Sequence, residues 1–400
     1  MNTRSHSKHL PAILGGEPSF PEKIPMVRPV LPPFEEMAEG IRSILESGMV
    51  TKGPILRRFE QAIAEHLGVK HAVAVSSCTS GMMLVHKALN PDGGEVVLPS
   101  FTFMATASAA VWAGLRPVFA DVDRETNNLD PAAAEAAITP RTVAIVAVHQ
   151  FGNPADIEGL QRVADRHGLK LIFDAAHGFG ARYQGEPVGK QGDAQIFSLS
   201  PTKLLITGEG GIVATNDDTL AERIRMGREY GNDGNYDSAF AGLNARMPEF
   251  NALLGLHSLQ RLEEAARHRN ETVALFQELL GRLPGIGFQK VRPGDRHSYR
   301  ELSITIDAQA FGLTRDEVAL ALAAENIDTR KYYFPPIHKQ TAYRPYYDGR
   351  PLPNTDWLSE NSLSLPMWSN MEEAVAVKIC QAFERLHENA LKVREKLGTR

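Results

Sequence analysis

The chain predicts an α/β fold, a mainly parallel sheet covered by helices on both faces, followed by a smaller α+β unit. Three observations carry this. Four hundred residues, 43% hydrophobic and 23% charged, suffice for a large core and suggest two domains or one with an appendage. From Met49 to about residue 230, short apolar β-rich runs alternate with helical stretches. After about residue 247 that rhythm gives way to long helical patterns.

The runs, in order, are "HAVAV" (71–75), "EVVLP" (95–99), "PVFADVD" (117–123), "TVAIVAVHQFG" (142–152), "LKLIFDAAH" (169–177) and "AQIFSLS" (194–200). Between them, "CTSGMMLVHKAL" follows the first run as a helix, and "DIEGLQRVADRHG" precedes the fifth, closing on Gly168 as helix C-termini often do. "MPEFNALLGLHSLQRLEEAARHRNETVALFQELLGRL" carries Leu256, Leu259 and Leu262 at helical spacing and predicts one long helix leading out of the sheet. "RELSITID", "LTRDEVALALAAENI" and "MEEAVAVKICQAFERLHENALKVREKL" then build the smaller unit. The Pro-rich "IPMVRPVLPPF" near the front predicts an extended arm, and the first ten residues a loose tail. The resulting division is a tail and arm over 1–30, a sheet domain over 31–250, and a connecting helix with a small domain over 251–400.

A formal charge of −5 with well-mixed signs offers no basic face for nucleic acid. Cys78 and Cys380, far apart and without metal-ligand spacing, predict neither a disulfide framework nor a metal site and fit a reducing cytoplasm. No apolar run approaches the ~18 residues of a membrane span and the opening is polar, which disfavours membrane spanning and secretion.

In open α/β sheets ligands sit beyond the carboxyl ends of the strands. The first run ends in "SSCTSG", a small-residue turn opening a helix whose N–H groups and dipole can hold a phosphate, although such turns are also common caps. The fifth ends in "FDAAHGFGA", with Asp174 at the strand end and His177 three residues on. A carboxylate there is either a loop acceptor or the partner of a heterocyclic nitrogen, which it would keep protonated. Lys203, in "FSLSPTKLLITGEGG", has small, apolar and hydroxyl-bearing flanks in place of charged ones. A lysine desolvated in such surroundings has a lowered pKa and serves as an amine nucleophile that forms a Schiff base. Phosphate turn, acidic strand end and secluded lysine, in that order, are the set that pyridoxal 5'-phosphate needs.

From about Pro29 to Leu386 the chain resembles the DegT and StrS family of nucleotide-sugar aminotransferases. The matching motifs are "SGMVTKGPILRRFE", "VAVSSCTSGM", "LPSFTFMATASAAVWAGLRPVFADVD", "FDAAHGFGA", "FSLSPTKLLITGEGG", "NARMPEFNALLG" and "YYFPPIHKQTAY". The resemblance implies the pyridoxal-phosphate-dependent transferase fold of type I, with a mainly parallel seven-stranded sheet and a smaller C-terminal domain. It implies that Lys203 forms the Schiff base, Asp174 pairs with the pyridinium nitrogen, His177 bonds the phenolic side of the ring or the substrate near it, and Phe103 stacks on the ring face. Cys78, Thr79, Ser80 and Ser198 belong to the cofactor-binding set, and Asn244 completes the phosphate site of a partner subunit, making a homodimer with shared sites. Thr51, Arg246, Tyr332 and His338 are the implied substrate contacts, with a loop histidine as the plain alternative for His338 and an intersubunit ion pair for Arg246. The Cys78 thiol itself reads as a small buried apolar group.

Two departures stand out. The family's Asn-Tyr-Arg is Asn244, Ala245 and Arg246 here, and the lysine motif carries Leu199 and Ser200 where a second aromatic and a His are usual. The implied reaction is amination of a keto group on a nucleotide-linked deoxyhexose, of the 4-keto-6-deoxyglucose type, with L-glutamate as donor and the pyridoxamine form as intermediate carrier. The alternatives are amination at C3 or of a cyclitol ketone, formation of an aminobenzoate precursor, and a non-catalytic binder of the same fold. A lysine-lacking dehydratase branch is disfavoured by Lys203.

Overall fold

Seven strands form the main sheet: β1 His71–Val75, β2 Gly94–Pro99, β3 Leu115–Ala120, β4 Thr142–Val148, β5 Lys170–Asp174, β6 Ala194–Ser198 and β7 Gly211–Thr215. This is a computed structural model, and it describes residues 10–90 and 92–398; the tail expected at the extreme N-terminus lies almost wholly outside them. The spatial order is β1-β7-β6-β5-β4-β2-β3. Only β7 runs antiparallel to its neighbours, β1 and β6, and the other pairings are parallel. β7 is the strand absent from the six apolar runs, because "GGIVAT" follows the glycine-rich loop directly and is short.

Alternate residues of each strand enter cores on opposite faces. On β5, Ile172 packs with Val73 and Ile196 on one face, while Leu171 and Phe173 pack with Leu160 and Val163 on the other. Burial on both faces is why the runs read as continuous apolar stretches. Helices α1 Phe34–Ser47, α2 Pro54–Leu67, α3 Cys78–Leu89, α4 Met104–Trp112, α5 Ile157–His167 and α6 Asp218–Gly227 cover the sheet. Two match the sequence closely: α3 coincides with "CTSGMMLVHKAL", and α5 ends on Gly168 in the left-handed conformation.

The predicted single long helix is instead two, α7 Glu249–Leu259 and α8 Leu262–Leu280. At the break the Arg261 N–H bonds the Ser258 carbonyl (3.1 Å), a tightened terminal turn, while Arg261 Nη1 donates to the His257 carbonyl (2.9 Å). Periodicity survives the break because one apolar face continues across it. The third and fourth strands end earlier than their apolar runs, at Ala120 and Val148, and a 3₁₀ turn over Gln150–Gly152 follows the latter.

A second sheet, β8 Ile286–Phe288, β9 Leu302–Ile306 and β10 Ser362–Leu365, packs with α8, α9 Arg315–Ala324 and α10 Glu373–Glu388. The N-terminal segment belongs to this core. Phe20 and Ile24 are buried in it, Ile24 pairs with Ile327, and the Met367 N–H bonds the Met26 carbonyl at 3.0 Å. Glu325, fully buried, fastens the segment: it accepts from the Ala12 and Ser19 N–H groups (both 2.8 Å) and the Ser19 hydroxyl (2.7 Å), and pairs with Arg385 at 3.0 Å. Glu325→Ala should therefore cost about 3 kcal/mol of unfolding free energy in urea titrations, since it orphans donors and a partly buried guanidinium. A loss within ~0.5 kcal/mol would deny Glu325 this role.

Candidate active site

The carboxyl ends of β1, β4, β5 and β6 open on a cleft of about 350 Å³, within the range of small-molecule sites. Its floor is the turn between β1 and α3. Ser77 caps α3: its hydroxyl accepts from the Ser80 N–H (3.0 Å), and the Ser80 hydroxyl accepts from the Ser77 N–H (3.1 Å). Ser77, Cys78 and Thr79 line the cleft, whereas the Ser80 side chain is engaged in the cap and does not. Gly211 makes the close approach possible, since a Cβ there would lie 2.6 Å from the Cys78 nitrogen. The Cys78 thiol faces the sheet, donating to the Ile196 carbonyl at 3.5 Å, and burial pushes its pKa well up.

Asp174 ends β5 in the cleft at 4% exposure. The Thr106 hydroxyl donates to its Oδ2 (2.7 Å), the Ala176 N–H donates to its Oδ1 (3.1 Å), and Thr106 also contacts the Thr102 hydroxyl (3.0 Å). Burial raises its pKa, against the pull of these bonds and of the Lys203 charge. Asp174 has no ion pair among the described residues, so an oriented buried carboxylate faces the cleft in need of a cation.

Lys203 lies across the same cleft on the loop after β6, with Ser198, Ser200 and Thr202 beside it. Burial, aided by the nearby Arg300 charge, lowers its pKa to about 7, and the Cys78, Glu301 and Asp174 groups oppose this. The amine is thus half neutral near pH 7. In the protein free of cofactor, labelling of Lys203 by an added aromatic aldehyde, trapped with borohydride, should speed up about tenfold per pH unit below pH 7 and level off above it. A rate still climbing beyond pH 9 would mean an ordinary, solvated lysine.

His177 lines the cleft, and burial with the Lys203, Arg300 and His297 charges holds its pKa well down, so it acts as a neutral imidazole. Phe103 is 49% exposed at the cleft wall, an aromatic face available for stacking. Tyr332 and Tyr333 also line the cleft, Tyr333 beside the Phe103 ring (6.5 Å) and stacked on Phe151 at 5.6 Å. Arg300 and Glu301 complete the lining; no sequence motif marks them. They reach it from the start of β9 because the Ser298 and Arg300 N–H groups bond the Gly152 and Phe151 carbonyls (both 3.0 Å).

Thr51, Asn244, Arg246 and His338 do not line the cleft of their own chain. The first three gather elsewhere: Thr51 pairs with Pro248, Asn244 pairs with Glu229, and Arg246 binds Glu229 at 3.1 Å. Around them Met49, Val50, Tyr230 and Phe250 are exposed. His338 is buried beside β2, its Nδ1 2.8 Å from the Ser100 hydroxyl and its Nε2 3.4 Å from Asp356.

The cleft fits pyridoxal phosphate. An anion cradle of helix N-terminus and hydroxyls, an unpaired buried carboxylate, a low-pKa lysine and an exposed aromatic face stand around one space.

This combination defines a pyridoxal-phosphate-dependent aminotransferase of the fold with a mostly parallel seven-stranded sheet. Residues 34–384 match the DegT/DnrJ/EryC1/StrS aminotransferase family, to which the chain belongs, and it is a sugar aminotransferase. The spore coat polysaccharide biosynthesis protein SpsC of Bacillus subtilis (strain 168) is 37% identical over 356 residues, spanning 85% of this chain and 91% of that one. DesI, solved in the presence of its TDP-sugar product, is 37% identical with a TM-score of 0.89, over 98% of this chain and 99% of that one. DesV of S. venezuelae, solved with a ketimine intermediate, is 33% identical with a TM-score of 0.83, over 92% and 99%.

Proposed function

We propose that this enzyme aminates the C4 ketone of a thymidine-linked 4-keto-6-deoxyglucose, with L-glutamate as amino donor. The observation that carries the site assignment is the convergence of Lys203, Asp174, Phe103 and the α3 turn on one cleft. The likeness to DesI, solved with a TDP-sugar product, and the motif "TRKYYFPPIH" support the substrate.

When bound, pyridoxal phosphate supplies an aldehyde that accepts the donor's amino group and a ring that withdraws electrons. The α3 N-terminus, Thr79 and Ser198 would hold its phosphate, Phe103 would cover the ring face and His177 would contact the ring's phenolic side. Asp174, its carboxylate fixed by Thr106 and Ala176, would keep a proton on the ring nitrogen. Lys203 Nζ would be the amine that holds the cofactor's aldehyde and, once released, the base that would move a proton from the donor's α carbon. Its pKa near 7 suits this role, and positioned acid–base transfer of this kind contributes about 10²–10⁴-fold.

The enzyme works in the cytoplasm as a homodimer. The sheet domain over 31–250 holds the cofactor, and residues 251–400 add Arg300, Glu301, Tyr332 and Tyr333 to the cleft wall. The exposed apolar residues around Asn244 support a subunit interface there, through which Asn244 reaches the partner's phosphate site and Thr51 and Arg246 the partner's substrate. Mixing Lys203→Ala with Asn244→Ala chains should regenerate one complete site per hybrid and lift activity above either parent. No rise in confirmed hybrids contradicts a shared site.

A panel of keto-sugar nucleotides with L-glutamate, read by mass spectrometry, tests the substrate. Amination of the thymidine-linked 4-keto sugar is expected; preference for a 3-keto sugar or a cyclitol ketone would replace this reading.

A further inference from the structure

Arg300 and Glu301 are the least ordinary residues of the cleft. They are consecutive, 6% and 3% exposed, and paired through Arg300 Nη1 and Glu301 Oε1. Both line the space that Lys203 and Asp174 share, and Arg300 and Lys203 also border the crevice beside it. Yet Arg300 Nε and Glu301 Oε2 have no hydrogen-bond partner among the described residues. A buried donor and a buried acceptor left unmet in a ligand cleft are expensive unless a ligand meets them.

The chemistry of the two orphans narrows the ligand. One is an N–H donor and the other a carboxylate acceptor, on a pair whose net charge is zero. A carboxylate or phosphate would find the donor but be repelled by Glu301, and an ammonium would meet the reverse conflict with Arg300. A hydroxyl donates one hydrogen bond and accepts others, so its chemistry matches both atoms. The sugar of a sugar aminotransferase carries such groups beside its ketone.

We propose that Arg300 and Glu301 form a hydroxyl-reading subsite, in which Arg300 Nε donates to, and Glu301 Oε2 accepts from, a hydroxyl of the keto sugar next to the reacting carbon. The pair is held ready for this. The Arg300 N–H is tied to the Phe151 carbonyl, and the Arg300 carbonyl accepts from the buried Arg269 at 3.2 Å. The subsite distinguishes the two substrates that share the cleft, since it serves the neutral sugar ring and offers nothing to the amino donor's carboxylates. The inference rests on the assignment of the Lys203 cleft as the active site.

The test separates the half-reactions by rapid mixing: L-glutamate with the pyridoxal form, and thymidine-linked 4-keto-6-deoxyglucose with the pyridoxamine form. The paired replacement of Arg300→Met with Glu301→Leu removes both charges without stranding either, a change that buried ion pairs often tolerate. It should slow the sugar half-reaction by about 30–100-fold in second-order rate constant, and the glutamate half-reaction by less than about threefold. A sugar analogue lacking the hydroxyl beside the ketone should be disfavoured by a similar factor in the parent and no longer disfavoured in the paired variant. Glu301→Gln, which keeps an acceptor oxygen, should lose about half of that discrimination on a logarithmic scale and serves if the paired variant does not fold. Equal slowing of both half-reactions with discrimination intact, or loss confined to the glutamate half-reaction, would overturn the proposal. Lys203→Ala, silent in both half-reactions, tests the site assignment by itself, so the two ideas fail separately.

Discussion

Lys203→Ala should leave a folded protein that binds cofactor but turns over at least about 10⁴-fold more slowly, because nucleophile and proton carrier are lost together. No other lysine lines the cleft to replace it. The methyl group removes a low-pKa amine from a site whose burial disfavours its charge, so melting temperature should hold or rise. Spectra should show the loss directly: the absorbance of lysine-linked cofactor disappears, while added pyridoxamine phosphate still binds. Normal spectra with near-normal rates would remove Lys203 from the mechanism.

Asp174→Asn should lower the rate of proton transfer in the glutamate half-reaction by about 10²-fold or more, with a smaller loss of cofactor affinity. The amide keeps the carboxylate's shape and one oxygen to accept the Ala176 N–H, but at Thr106 its NH2 donates where the carboxylate accepted, and it cannot hold a proton on a ring nitrogen. The direction of the Asp174 pKa shift sharpens this. Burial raises it in the free protein, and a cation brought against it would draw it down again, so cofactor binding should weaken as falling pH protonates the carboxylate. Half-reaction rates equal to those of the parent would show that the ring nitrogen needs no carboxylate.

Sequence and structure agree where chemistry is local. The α3 turn, the end of β5 and the loop carrying Lys203 each read as strand end plus small residues, and the sheet brings those strand ends to one edge, with the start of β7 between β1 and β6. Asp174 could be recognised from its position but not its lack of an ion pair, which depends on what the neighbouring strands leave out. Arg300 and Glu301 carried no signal, because a consecutive Arg-Glu is ordinary on a surface. Only the pairing of Ser298 and Arg300 with the backbone at Phe151 and Gly152 turns it into the cleft. His338 shows the opposite case: the motif around it points to substrate, while Ser100 and Asp356 hold the ring away from the cleft. The break between α7 and α8 is not legible in the sequence because an apolar stripe records which face is buried and not whether the axis stays straight.

The central claim is that one lysine in this cleft carries the cofactor chemistry. The most direct measurement adds pyridoxal phosphate to the protein, reduces with borohydride, digests, and maps the added mass by tandem mass spectrometry. The account predicts stoichiometric modification on Lys203, suppressed when L-glutamate is added first. Modification centred on any other lysine, or none that competes with glutamate, would contradict it.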